Sequence, residues 1–171
     1  GTYSVETYGC QMNVHDSERL AGLLAADGYV SADRPDTATV VVINTCSVRD
    51  QAEQKALGKM GSMGSHRRQK PHVVFGFMGC MAQSRGPELF ERIPHLDVVV
   101  GTQKYHKVFE YVDTILQRRL ECAAEQLRTR GHDRISEIAF ELGFNDSAYF
   151  TRCFRHQFGV SPREWRGKGS H

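Results

Sequence analysis

The sequence has 171 residues, a formal net charge of +2 and 40% hydrophobic residues. This length suits one or two domains with a substantial core, and so small a net charge gives no argument for nucleic-acid binding by itself. The chain has no apolar run of the roughly 18 residues that a membrane-spanning helix needs and no signal-peptide pattern at its start. Five widely spaced cysteines, an odd number, favour a reducing compartment over a disulfide framework. We therefore expect a cytoplasmic protein without a membrane partner.

Strand and helix patterns alternate through the first two thirds of the chain. Apolar or alternating runs predict strands at 3–8, 39–43, 72–78 and 96–101, with a short strand beginning near Tyr29. Helix-forming segments are expected at about 16–26, 47–60 and 87–92, separated in one place by a loop or frayed helix end at 61–70. Ser47 and Asp50 form a capping-box pattern, and Pro87 suits a first helical turn. This alternation predicts an α/β fold with a flavodoxin-like parallel sheet.

Three cysteines follow predicted strands in the same way. The β-branched run 40–43 leads through Asn44 and Thr45 to a thiol, and each of two further strands leads through a glycine to another. These cysteines are Cys10, Cys46 and Cys80. Because parallel strands end at one edge of the sheet, where open α/β sheets bind ligands, we expect the thiols to converge as in a metal site.

Two other interpretations of the cysteines remain open at this point. Free cysteine is among the most buried residue types, so the three could simply be structural. A zinc site could instead recruit His15 or His72 as a fourth ligand. The sequence lacks the close ligand pairs, such as C-x2-C, that structural zinc sites usually show.

Five motifs in this part share their order and spacing with one enzyme family. They are 8–13 (YGCQMN), 16–18 (DSE), 44–49 (NTCSVR), 79–83 (GCMAQ) and 97–102 (DVVVGT). Residues 2 to about 113 resemble the amino-terminal domain of the radical-SAM tRNA methylthiotransferases of the MiaB type. The resemblance implies that Cys10, Cys46 and Cys80 bind an auxiliary 4Fe–4S cluster with one iron left open. Hydrogen bonds around that cluster are expected from Asn13, Asn44 and Gln83.

The same family needs a second cluster for catalysis, held by a C-x3-C-x2-C motif in a later domain. That motif is absent here, and the remaining cysteines, Cys122 and Cys153, are expected to be ordinary core or surface residues. We therefore expect a fragment that holds the auxiliary cluster but carries no catalytic residue and does not methylthiolate tRNA alone. A tRNA partner belongs only to the parent enzyme.

The last third of the chain has a helical pattern throughout. A helix is expected over 104–130 with a break near Asp113, and we place the domain boundary there, giving domains 1–113 and 114–171. Two further helices are expected, one from Ile135 to a stop at Gly143 and one capped at 145–147 and ended by Gly159. Residues 114–171 carry ten lysines and arginines against seven acidic residues.

Residues 115–166 resemble the second helix-turn-helix of AraC-type transcription regulators. The resemblance rests on 135–155, on Phe158 with the Gly-x-Ser-Pro at 159–162, and on 165–166. Aromatic residues recur every four positions and are expected to face inward. The outward residues would then meet the DNA major groove; they are Ser147, Ala148, Thr151, Arg152 and Arg155. A small helical bundle with a solvated arginine face is the alternative, and we expect weak DNA binding because the family normally uses two such units.

The two resemblances belong to families that do not normally share a chain. We interpret the sequence as a fusion, and Gly1 together with the 167–171 end (GKGSH) favours an engineered one over a gene rearrangement. Two functions follow as hypotheses. The chain is either a non-catalytic piece of a tRNA-modifying enzyme with a helical appendage, or an iron–sulfur-gated DNA-binding regulator.

Overall fold

The computed structural model describes residues 1–47, 50–69, 73–144 and 146–168. Contacts between Cα atoms divide the chain into two compact units, residues 1–112 and 113–171. Within the described ranges, no helix is both long and apolar enough to cross a membrane.

The first unit is a parallel sheet with helices. Its strands are β1 (Thr2–Tyr8), β2 (Val30–Ser31), β3 (Val40–Thr45), β4 (Val74–Met78) and β5 (Val98–Val100). Its helices are α1 (Gln11–Ala26), α2 (Asp50–Ser62), α3 (Gly64–Gln69), α4 (Cys80–Arg92) and the start of α5 (Tyr105–Thr129). The strands are ordered β2-β1-β3-β4-β5 and every pair is parallel. This is the flavodoxin-like order, so the predicted fold class is confirmed.

The central strand β3 explains why the sheet forms. All six of its residues are buried, as expected for a strand covered on both faces by helices. Because side chains alternate along a strand, Val41 and Ile43 share one face, where they join Phe75 and Phe77 of β4 in a core closed by α2 and α4. The opposite face carries α1, which contacts β1, β2 and β3.

Several predicted boundaries were wrong, each for a local reason. Helix α1 begins at Gln11 rather than Asp16, because Cys10 caps it in a reciprocal arrangement with Asn13. Helix α4 begins at Cys80 rather than Pro87; the proline follows a kink at Gly86, where φ is 21°. The expected start of α2 cannot be followed residue by residue, since Val48 and Arg49 lie outside the described residues, as does His72 before β4.

The second unit is helical throughout its described part. It contains most of α5, then α6 (Ile135–Glu141), α7 (Ser147–Phe158) and α8 (Pro162–Lys168). The predicted break near Asp113 is wrong: α5 is continuous. The helix contains no glycine or proline, and Gln117 Nε2 donates to Asp113 Oδ2 at 2.8 Å one turn away. The unit closes on a core in which Phe150 and Phe154 are fully buried.

Candidate metal centre and nucleic-acid interface

Three strands end in register at one edge of the sheet. Tyr8 of β1 pairs with Thr45 of β3, and Asn44 pairs with Met78 of β4. Within two residues of these ends lie the three cysteines, Cys10, Cys46 and Cys80. The structure therefore brings all three to the carboxyl edge, and the β1/β3 junction there is the point at which the strand order reverses, the usual place for a ligand in such sheets. We call this region the thiol edge.

The three thiols lie near one another, with Cys46 between the other two strands' cysteines. Cys46 lies close enough to the thiols of both Cys10 and Cys80 to affect the pKa of each. Cys46 is only 5% exposed, whereas Cys80 is half-buried and Cys10 is exposed. The set therefore opens to solvent on the Cys10 side.

The two outer thiols have pKa values shifted in opposite directions. Cys10 is the N-cap of α1, and the backbone N–H groups of Asn13 and Met12 donate to its sulfur, which lowers the pKa of that thiol. This is the effect expected of a helix N-terminus on a thiolate. Burial raises the pKa of Cys80, and the neighbouring Cys46 and Cys10 raise it further. A cation bound at the thiol edge would offset this mutual repulsion.

Glycines next to two of the cysteines are required by close packing. A Cβ on Gly79, whose φ is +100°, would lie 2.4 Å from Asn44 Oδ1 and 2.6 Å from the Thr45 carbonyl oxygen. A Cβ on Gly9 would lie 2.5 Å from Asn13 Oδ1 and 2.9 Å from Cys46 Cβ. The backbone before Cys10 and Cys80 therefore packs directly onto the residues around Cys46.

A buried polar network lies beneath the thiols. Asn13 Nδ2 donates to Asn44 Oδ1 at 2.9 Å, and Asn44 Nδ2 donates to the Asn13 carbonyl oxygen at 2.7 Å and to Ser17 Oγ at 3.1 Å. Ser17 in turn shares a 2.7 Å hydrogen bond with Thr7. Asn13 Oδ1 accepts from the Cys10 backbone N–H at 3.2 Å and from its thiol at 3.3 Å. Asn13 thus contacts a thiol itself, whereas Asn44 holds Asn13 in place.

Gln83 is placed differently from the two asparagines. Its Oε1 accepts from the Thr102 hydroxyl at 2.6 Å and from the Thr102 backbone N–H at 3.2 Å. Gln83 therefore ties α4 to the loop after β5. The other side of this loop is fixed by buried Asp16, whose carboxylate accepts from the Gln103 backbone N–H at 3.3 Å. Sequence reasoning assigned no role to Asp16 or Thr102, although both lie in motifs that carried the family resemblance.

The donors at the thiol edge are three cysteine thiols, and thiolates are ligands of both zinc and iron–sulfur clusters. In the described part of the chain, no group of three or more His, Cys, Asp or Glu side chains is arranged to hold a single metal ion. A cluster is less demanding in this respect, because each thiolate binds a different iron, and soft thiolates are the ligands that clusters prefer. His15 is exposed and lies 3.8 Å from Glu18 on its own helix, and His72 lies outside the described residues.

The second candidate site is the outer face of α7. Asp146 caps the helix by accepting from the Ala148 backbone N–H at 2.8 Å, whereas Asn145, the other expected capping residue, lies outside the described residues. Gly159 ends the helix with φ of 73°. Four of the five predicted DNA-contacting residues are exposed, namely Ser147, Ala148, Arg152 and Arg155. The fifth, Thr151, is half-buried.

The turn before α7 is formed by Gly143, whose φ is 98°, and by buried Phe144, which stacks edge-on against Phe150 at 4.9 Å between ring centroids. Trp165 of α8 donates from Nε1 to the Ala124 carbonyl oxygen of α5 at 3.0 Å. Phe144 thus packs against α7 through Phe150, and Arg152 and Arg155 of that helix are exposed. Arg152 lies 6.0 Å from the ring centroid of Tyr149.

Comparison with known proteins places this geometry in a family. Residues 2–101, more than half of the chain, match the family described as "Uncharacterized protein family UPF0004". The chain belongs to the UPF0004 family. The match contains the three cysteines of the thiol edge and the polar network beneath them, and residues 109–168 match a second family, described as "Helix-turn-helix domain".

Relatives of this UPF0004 chain are named tRNA-2-methylthio-N(6)-dimethylallyladenosine synthase. The protein from Akkermansia muciniphila is 57% identical over 125 residues, covering 73% of this chain and 27% of the relative. Those from Opitutus terrae and Methylacidiphilum infernorum are 48% and 45% identical, covering 67% and 66% of this chain and 24% of each relative. The chain spans about a quarter of the length of these relatives. Because the match with the Akkermansia muciniphila protein covers 125 residues of this chain, it must reach residue 125 or beyond. That residue lies within α5.

Both predicted resemblances are thereby confirmed. The UPF0004 segment is similar to methylthiotransferases, the carboxy-terminal segment matches a helix-turn-helix, and their presence in one chain supports a fusion. The two remaining cysteines lie in the second unit, where Cys122 is exposed and Cys153 packs against the aromatic core.

Proposed function

We propose that the first unit binds a 4Fe–4S cluster through Cys10, Cys46 and Cys80 and leaves one iron without a protein ligand. The observation that carries the proposal is the convergence of the three thiols at the carboxyl edge, where β1, β3 and β4 end in register. When bound, such a cluster supplies an open iron site that can hold a further sulfur ligand. The function that this supports is that of the auxiliary-cluster domain of a tRNA methylthiotransferase.

The protein's own residues would prepare the site in three ways. The backbone N–H groups at the start of α1 favour the Cys10 thiolate, the form that binds iron. Asn13, held by Asn44, orients the Cys10 segment. The glycines before Cys10 and Cys80 keep side chains out of the space between strand ends, where added Cβ atoms would collide.

Helix α2, which follows Cys46, and helix α4, which begins at Cys80, are also joined directly. Buried Glu53 of α2, whose side chain is 5% exposed, pairs with Arg85 of α4 at 2.7 Å. Because α2 follows Cys46 and α4 begins at Cys80, this ion pair restrains the separation of the segments that carry these thiols. A buried carboxylate with its partner removed is costly, so the pair also explains how Glu53 is tolerated in the core.

An anaerobic iron and sulfide determination tests the proposal. We expect reconstitution to give about four irons per chain, the stoichiometry of a cubane cluster. Cys46→Ala should abolish cluster binding, whereas Cys122→Ala and Cys153→Ala, as matched controls, should leave it intact. Retention of iron by the Cys46 variant at the level of the controls would overturn the assignment.

DNA binding by the second unit is a second candidate function. It is supported by the exposed face of α7, with Arg152 and Arg155 outward, and by the helix-turn-helix match. Arginine can bind guanine or phosphate, and serine or threonine can contact either. If the cluster gates this activity, DNA affinity will differ between the cluster-loaded and the cluster-free protein. Equal affinity of the two forms would eliminate the iron–sulfur-gated regulator and leave a methylthiotransferase piece with an independent helical appendage.

A further inference from the structure

A cavity of about 410 Å³ lies in the first unit, away from the thiols. Its lining comes from 34–36, which precede β3, from the end of α2 and from α3, which precedes β4. Because these segments lead into strands that end at the thiol edge, the cavity lies at the opposite, amino edge of the sheet. We call it the amino-edge cavity. Its volume falls in the range of about 300–1,000 Å³ that holds small organic ligands.

Lys59 of α2 brings an ammonium group to this cavity. Its ion-pair partner is Glu6, whose Oε1 lies 3.7 Å from the ammonium nitrogen, beyond the usual length of a hydrogen bond. The other carboxylate oxygen of Glu6 accepts from the Tyr8 hydroxyl at 2.8 Å. Across the residues that the structure describes, the Lys59 ammonium donates no hydrogen bond. Its three N–H donors are therefore available to a bound anion.

Arg34 brings a guanidinium group that Asp36 holds in place. Its Nε donates to Asp36 Oδ1 at 2.9 Å, and its Nη2 donates to Oδ2. These bonds lower the pKa of Asp36, so the carboxylate stays ionised near neutral pH. Within the described ranges no contact uses Nη1 of Arg34. The guanidinium therefore keeps donors for a second anion.

The rest of the lining has a polar and an apolar part. Ser65 Oγ lies 3.4 Å from the Ser62 carbonyl oxygen, a long contact that the hydroxyl can exchange for a ligand. Pro35 and Met63 are the apolar residues of the lining. An ammonium, a guanidinium and a hydroxyl suit a phosphoryl group, because it has three acceptor oxygens where a carboxylate has two.

We propose that the amino-edge cavity binds a phosphate monoester, with its phosphoryl oxygens at Lys59, Arg34 and Ser65. Lysine, arginine and serine are side chains that commonly contact phosphate oxygens. The organic group of the ester would lie towards Pro35 and Met63, in the part of the cavity that a bare phosphate ion leaves unfilled. The proposal is independent of the cluster, because none of these residues belongs to the thiol edge.

Titration of the isotope-labelled full chain with phenyl phosphate at constant ionic strength, followed by heteronuclear NMR, tests the proposal. We expect saturable shifts of the backbone amides that line the cavity and a dissociation constant in the millimolar range. Lys59→Met should raise that constant about fivefold, the upper end for a partly exposed ion pair. The matched control Lys55→Met removes an exposed lysine one turn earlier on α2 and should leave the constant unchanged.

Asp36→Asn tests the same site in the opposite direction. It removes a negative charge but keeps an oxygen that accepts from Arg34, so phenyl phosphate should bind more tightly, by about twofold or more. This variant decides the question even if Lys59→Met fails to fold.

Affinities of both variants equal to that of Lys55→Met would overturn the cavity as the binding site, as would shifts confined to α7. Inorganic phosphate provides the comparison for the organic group. If it binds as tightly as phenyl phosphate, the organic group contributes nothing and the monoester is overturned as the ligand.

Discussion

Asn13 and Asn44 join the segments that carry two of the thiols by reciprocal hydrogen bonds. Each amide nitrogen donates to the other residue, at 2.9 and 2.7 Å, and both side chains are almost completely buried. Asn13 lies three residues after Cys10, and Asn44 two residues before Cys46. A single polar pair thus fixes where α1 begins relative to the end of β3.

Asn44→Ala should destabilise the first unit by about 1–3 kcal/mol, because it leaves the buried Nδ2 of Asn13 without its acceptor. The exposed helical residue Gln54 offers a control, and Gln54→Ala should stay within about 0.5 kcal/mol. Urea unfolding followed by far-ultraviolet circular dichroism measures both. Equal midpoints for the two variants would contradict a structural role for the asparagine pair.

Gly79→Ala should destabilise the protein by at least about 1–3 kcal/mol, since φ of 100° and ψ of −163° lie in a region that essentially only glycine occupies. The new Cβ would also collide with Asn44 Oδ1 at 2.4 Å. Gly58→Ala is the matched control: it lies in α2 with open space around it and should stabilise by about 0.4–1 kcal/mol. Thermal denaturation of the two variants should therefore shift in opposite directions.

The chain should show no methylthiolation activity by itself. It contains five cysteines and no C-x3-C-x2-C motif, and three thiolates at the thiol edge cannot also bind a second cluster. Incubation with S-adenosylmethionine, reductant, sulfide and isopentenyladenosine-containing tRNA should yield 5′-deoxyadenosine only at the level of a protein-free control. Turnover above that level would show that the architecture has been misinterpreted.

DNA binding by α7 should be weak, in the micromolar range or weaker at physiological salt, on the scale of non-specific complexes. One recognition helix offers few cations, and single modules bury only roughly 600–1,000 Å². Arg152→Ala should cost about 1–3 kcal/mol if the arginine contacts a base, while Arg118→Ala, an exposed residue of α5, should cost little. Titrations against random and AraC-type half-site duplexes decide this, and nanomolar selective binding would favour the regulator.

Acid should weaken the second unit through Glu141. Its carboxylate accepts from Arg130 at 2.5 and 3.1 Å, and these bonds hold the pKa of Glu141 below its ordinary value of 4.5. A carboxylate whose pKa is lower in the folded than in the unfolded state stabilises the fold at pH values above its unfolded-state pKa. This stabilisation is lost as the pH falls through the folded-state pKa. Glu141→Gln should therefore melt lower than the unmodified chain near neutral pH, with the difference vanishing in acid.

Fluorescence of Trp165 measures this transition selectively, because it is the one tryptophan of the sequence and lies in the second unit. Glu125→Gln serves as a control, since Glu125 is exposed and belongs to the same unit. A difference between Glu141→Gln and the unmodified chain that persists unchanged into acid would contradict the linkage.

The sequence alone predicted the kind of fold and the cysteines to examine. Strand β3 is recognisable because a strand buried on both faces of a sheet has a continuous apolar, often β-branched, run. A change from the hydrophobic pattern of a strand to that of a helix shows where one element ends and the next begins. The cysteines that follow three of the predicted strands, two of them directly after a glycine, indicated the carboxyl edge as the site. On α7, Phe150, Phe154 and Phe158 recur every four residues and therefore share the buried face of the helix. This spacing was sufficient to predict that its arginines face outward.

Contacts between residues far apart in the chain were decided only by the tertiary structure. Sequence periodicity cannot show that Gln83 faces Thr102, that Asp16 holds the Gln103 backbone, or that Glu53 meets Arg85, because each pair joins different helices and loops through side-chain hydrogen bonds. The starts of α1 and α4 were predicted too late in the chain, near Asp16 and Pro87, because the contacts that cap these helices are also tertiary. Capping by a thiol and a glycine with positive φ depends on packing against β3, and that packing exists only once the sheet has formed.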